Sequence, residues 1–140
     1  MGDKVREELH IPELAAPVSH YTHAVRFGDL LFISGLVGLD ANHKVVSHDV
    51  VQQTEKIFQD MSLILGQYGA DFSAVLRVTV YLTDVEDRTK INPVRQAYFG
   101  NSRPASTLIG VKALVIPELK VEIDAIAGIL PEDRSRTVQP

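Results

Sequence analysis

Apolar and polar positions alternate along this chain in short β-prone runs separated by two helical stretches. Residues 21–26 and 30–34 are β-prone and flank Gly28-Asp29, a pair that suits a tight hairpin with glycine at its first central position. From residue 50 to 68, Val50, Ile57, Phe58, Met61, Ile64, Leu65 and Tyr68 fall on one helical stripe. Ser47 or Asp49 can cap the start of that helix, and Gly66 or Gly69 can supply the left-handed residue at its end. A third strand is predicted over 75–82, rich in β-branched and aromatic residues, after a short turn as in a β-α-β crossover. Asn92-Pro93 reads as the start of a second helix reaching Phe99, because Asn caps well and Pro tolerates the first helical position. Strands at 107–111 and 119–129 complete the set. Residues 1–17, with Pro12 and Pro17 and no clear period, read as an extended lead-in, and 131–140 as a polar, frayed tail.

The order ββαβαββ predicts an α+β fold, a mixed sheet with two helices on one face. The other face then needs cover, and association of subunits around it is the expected route to an oligomer. At 140 residues one domain fits and a second has no room. A net charge of -4, with Lys and Arg scattered, gives no basic field for a phosphate backbone, so nucleic acid is not the expected partner. No stretch is long and apolar enough for a bilayer, and the charged first residues lack a secretory h-region. With no cysteine there is no disulfide, thiolate nucleophile or Cys-ligated zinc, which fits a reducing compartment; the cytoplasm is the expected location.

In the last strand Glu122, Asp124 and Ile126 share one face, opposite Val121, Ile123, Ala125 and Ala127. A carboxylate in a partly buried cleft has the raised pKa that general acid/base work requires, although a solvated strand face explains the spacing equally simply. Asn92 can bond a ligand, yet its place before Pro93 already accounts for it as a cap. Ser34-Gly35 offers a hydroxyl and close backbone approach, or a plain turn. Arg103 can grip a carboxylate through its planar fork, or stand exposed in a loop. His20 and His23, three apart in extended chain with no acidic or thiol partner pattern, do not make a metal site. Neither a Gly-rich phosphate loop nor a Gly-x-Ser-x-Gly elbow is present, so no nucleotide cofactor or hydrolase triad is expected.

Five blocks in order carry a family resemblance: Ser19-His20-Tyr21-Thr22-His23-Ala24-Val25, Leu31-Phe32-Ile33-Ser34-Gly35, Ile91-Asn92, Arg103-Pro104-Ala105-Ser106 and Val121-Glu122-Ile123-Asp124-Ala125-Ile126-Ala127. Together they resemble the RidA/YjgF family over nearly the whole chain. The resemblance implies a chorismate-mutase-like homotrimer with ligand clefts between subunits. It also implies cofactor-free hydrolysis of small enamines or imines to keto acids and ammonia. Carried onto this chain, the cleft residues are Tyr21, Ser34, Gly35, Asn92, Arg103 and Ser106, with Asp124 as the acid. The departures point to a divergent substrate, such as an aminomuconate-like dienoic acid. Ser106 stands where deaminating relatives carry an arginine for the substrate carboxylate, and Asp124 is read as replacing a glutamate. Arg95, in place of a usual aromatic residue, and Arg103 are the candidates to compensate. The alternative is a trimer that binds a keto acid, another small metabolite or a partner without turnover.

Overall fold

The computed structural model describes residues 5–130. Six strands form a single sheet: β1 (Arg6–Leu9), β2 (Ala24–Phe27), β3 (Leu30–Val37), β4 (Val75–Leu82), β5 (Ala105–Gly110) and β6 (Val121–Gly128), in the order β1-β2-β3-β6-β4-β5. Every pairing is antiparallel except β4 with β5, which the helix α2 (Arg88–Phe99) connects as a parallel crossover must be connected. The long helix α1 (Val50–Gly66) packs on β3, β6 and α2. The fold is therefore the expected mixed sheet with helices on one face.

Alternation along β6 builds the core. Val121, Ile123, Ala125 and Ala127 point at the helices and are at most 3% exposed, and each Val or Ile so buried contributes about 1.5–3 kcal/mol relative to an exposed one. Against them α1 lays Ile57, Phe58, Met61, Ile64 and Leu65, all buried. Phe58, Phe72 and Phe99 meet edge-to-face with centroids 5.1–5.7 Å apart, which locks α1 onto α2. Asp49 caps α1 by accepting from Val51 N at 3.0 Å, and Gly69, at φ +67°, takes the left-handed position beyond the helix end. Gly28, at φ +64°, turns the β2–β3 hairpin as its place in the sequence requires.

Three expectations are corrected. The expected order gains a strand: β1 lies within the lead-in and pairs with β2 at the sheet edge. Side chains then pin the following segment. Ile11 N donates to His23 Nδ1 at 2.9 Å and Thr22 Oγ1 donates to Leu9 O at 2.7 Å, so β2 begins at Ala24 rather than Tyr21. His23 Nε2 lies 3.0 Å from Ala15 O, so the buried ring ties this segment through both of its nitrogens. Finally, α2 begins four residues before Asn92. Asp84 accepts from Glu86 N at 3.0 Å and caps a short 3-10 turn, Val85–Asp87, that runs into the helix. Asn92 is thus no cap, and Pro93 sits inside α2 at the loss of one backbone bond, its fixed φ being helix-compatible. The expected tail at 131–140 lies outside the described residues.

The face of the sheet away from the helices stays open. Phe27, Leu30, Phe32 and Leu76 stand on it at 40–51% exposure. Glu122 and Asp124 occupy the same face.

Candidate functional site

The first concavity is built by a bulge. Ile33 pairs with Ala125 and Leu36 with Ile123, so Ser34 and Gly35 together oppose Asp124. The extra residue re-aims the strand locally, as bulges beside functional sites do. Ser34 N donates to His23 O at 3.0 Å and its hydroxyl donates to Thr22 O, which fixes the Tyr21–His23 segment across the strand end. Tyr21, half exposed, Ser34, Gly35, Val37 and Val115 then enclose a groove of about 390 Å³ whose acid is Glu122. A methyl group at Gly35 would run into Glu122 Oε2, so the absence of a side chain is what lets the carboxyl group lie against the β3 backbone. Burial, and secondarily the charge of Asp124, raise the Glu122 pKa above the usual 4.5. Asp124 itself accepts a bond from Tyr81 Oη at 3.1 Å. The acid expected in the cleft was Asp124; the side chain that lines it is Glu122, because on one strand face two neighbouring positions are about 7 Å apart and only the first lies opposite Val37.

Behind this groove lies an apolar cavity of about 240 Å³ that shares Tyr21, Ser34 and Gly35 as its wall and continues to Leu14, Leu36 and Ile116. Its one acid is Asp60, buried on α1, 3.0 Å from Lys56 Nζ, with its pKa raised chiefly by burial.

A second concavity, about 470 Å³, opens between α2 and the start of β5. Asn92, Arg95, Gln96, Arg103 and Pro104 line it. Arg95 Nη2 donates to Ser106 Oγ at 3.0 Å, across from helix to edge strand. Within one chain the predicted site residues thus separate into two groups. Tyr21, Ser34 and Gly35 gather around Glu122, whereas Asn92, Arg103 and Ser106 gather around Arg95. Among the described residues no cluster of His, Cys, Asp or Glu is arranged to hold a metal ion, and no helix is long and apolar enough to cross a membrane.

The profile of the family described as Endoribonuclease L-PSP matches residues 12–129. The chain belongs to the RidA/YjgF family. Among its relatives, Protein DfrA of Myxococcus xanthus is 38% identical over 130 residues, covering 91% of this chain and 98% of that protein. A 2-iminobutanoate/2-iminopropanoate deaminase of Mus musculus is 33% identical, covering 91% and 94%. The crystal structure of RidA from an Antarctic Psychrobacter superposes with a TM-score of 0.82 at 28% identity, covering 88% of this chain and 99% of that one. The chorismate-mutase-like α+β architecture agrees with these structures.

Within this RidA/YjgF member, sequence reasoning missed one feature. Glu122 was seen only as the partner of Asp124 on a shared face; the signal that distinguishes them is the glycine at 35, which clears space beside one carboxylate alone. Of the two arginines offered as compensating at position 106, Arg95 is the one that bonds Ser106.

Proposed function

We propose that this protein hydrolyses a small, reactive enamine or imine acid to its keto product and ammonia. Glu122 is the acid of that reaction in place of Asp124. The observation that carries the reading is a half-buried carboxyl group, raised in pKa, lying over a glycine in a groove open to ligand. A raised pKa makes a carboxyl group easier to protonate, which suits it to passing a proton in both directions. As the neutral acid it protonates the imine nitrogen; as the carboxylate it takes a proton from the water that adds to the C=N carbon. Collapse of the carbinolamine then leaves C=O and releases ammonia. Tyr21, Ser34 and the Gly35 backbone shape the groove. The named deaminase activity of relatives supports the reaction class. Ser106, where deaminating relatives carry an arginine, favours a substrate other than 2-iminopropanoate, such as an aminomuconate-like dienoic acid.

The assembly we propose is a homotrimer joined through the open sheet face, since four large apolar side chains there are 40–51% exposed. Sedimentation equilibrium should then return three times the 15.4 kDa of the chain. Ammonia release from freshly generated 2-iminobutanoate and from 2-aminomuconate tests the reaction. Turnover by the protein and loss of it in Glu122→Gln is the expected result. A second reading, binding without turnover, is favoured by the hydroxyl at Ser106, and it prevails if neither compound nor a wider enamine panel yields ammonia above background while a keto acid still binds saturably.

A further inference from the structure

The cleft between α2 and β5 is lined by two arginines and by no acid. Among the described residues Arg6, Lys56, Arg88 and Lys90 each reach a carboxylate, whereas Arg95 and Arg103, like Arg26, Lys44, Arg77, Lys112 and Lys120, reach none. Arg95 is the one whose surroundings are costly. It is partly buried, and that burial lowers its pKa from the ordinary arginine value. A desolvated cation normally finds a counter-charge. Here its side-chain partner is a neutral hydroxyl, Ser106 Oγ. One N–H is engaged in that bond, and a guanidinium carries five in a fixed fork, so an edge suited to two parallel bonds is still available. The Asn92 carboxamide and the exposed Arg103 line the same opening.

We propose that Arg95, oriented by Ser106, is the carboxylate-binding group of this protein, gripping the acid end of a small 2-oxo or 2-imino acid. The preference for an anion follows from the cleft alone, whereas the ligand class rests on the deaminase reading. A planar carboxylate matches the free edge of the fork and replaces the water that burial has removed. Ser106 is a positioning residue: its hydroxyl aims the guanidinium and donates nothing to the reaction.

The test is calorimetric titration with 2-oxobutanoate and with its uncharged amide, on the wild type, Arg95→Gln, Arg95→Lys and Ser106→Ala, each checked for fold by circular dichroism and for mass by sedimentation. The wild type should prefer the acid over the amide by about tenfold or more, as a charged hydrogen-bonded pair implies. Arg95→Gln should erase that preference, Arg95→Lys should keep part of it, and Ser106→Ala should reduce it about threefold. Undiminished preference in Arg95→Gln, equal binding of acid and amide by the wild type, or no saturable binding of the acid would each overturn the proposal. So would loss of preference accompanied by dissociation of the assembly, because the guanidinium would then be holding a carboxylate of a second copy. Ammonia assays separate this from the parent reading. Acid-selective binding without turnover upholds the arginine and removes the deaminase; turnover with an unchanged KM in Arg95→Gln does the reverse.

Discussion

The groove at Glu122 and the cleft at Arg95 suffer the same physical insult with opposite charge. Burial raises the pKa of the glutamate and lowers that of the arginine, so each group is pushed toward its neutral form. What differs is the neighbour. Glu122 has a second carboxylate, Asp124, which adds to the push and makes protonation easier. Arg95 has only the Ser106 hydroxyl, which neither opposes nor relieves its charge. The first arrangement suits a group that must exchange a proton, the second a group that must stay charged and attract an anion. Desolvation by itself does not assign a role; the partner within hydrogen-bond reach does.

Substitutions can separate the two places. The largest effect is expected from Glu122→Gln, which keeps the shape and removes the proton. It should lower kcat by about 100-fold or more while 2-oxobutanoate still binds, the converse of Arg95→Gln. Equal loss of binding and turnover in both variants would mean that the two places act as one. Gly35→Ala should cost about tenfold in kcat, because the new methyl group displaces the Glu122 carboxyl. Its effect on stability should stay under about 1 kcal/mol, since that carboxyl is the far end of a flexible side chain and φ at this position is not in the left-handed region. Thermal melts and initial rates on the same preparation decide it.

Asp124→Asn should act through pH rather than rate. Removing the neighbouring charge takes away one of the two causes that raise the Glu122 pKa, so the pH–rate limb governed by Glu122 should move to lower pH with kcat changed only a few-fold. A limb that stays in place would remove Asp124 from the tuning of the site. The smallest effect is expected at Asp60, a buried acid with the same direction of shift in the cavity behind the groove. Folding raises its pKa above 3.8, so the folded chain binds the proton more tightly than the unfolded one. Stability from this group is therefore greatest below the unfolded value and falls as pH rises through the raised one. In Asp60→Asn that decline should vanish, so the Tm difference between variant and wild type should grow in favour of the variant as pH is raised from about 3.

The strands and the long helix were legible because their pattern is dictated by one-dimensional periodicity. Alternation along residues 121–128 can be satisfied only by a strand buried on one side, and the stripe from Val50 to Leu65 only by a helix lying on it. The Gly28 turn and the Asp49 cap are equally local, each settled by a few adjacent residues. By contrast, β1 escaped notice because four mostly polar residues become a strand only when β2 supplies the ladder. The start of α2 was misplaced because Asp84 and Asn92 are both good caps, and choosing between them depends on how the chain leaves β4. So the sequence by itself determined the elements, the buried face of the sheet and the presence of two carboxylates opposite it. Only the tertiary structure decided which carboxylate lies in a groove, through a bulge that pairs two residues of β3 with one of β6, and which arginine meets Ser106. Both are distances between segments far apart in the chain, and periodicity within a segment carries no information about them.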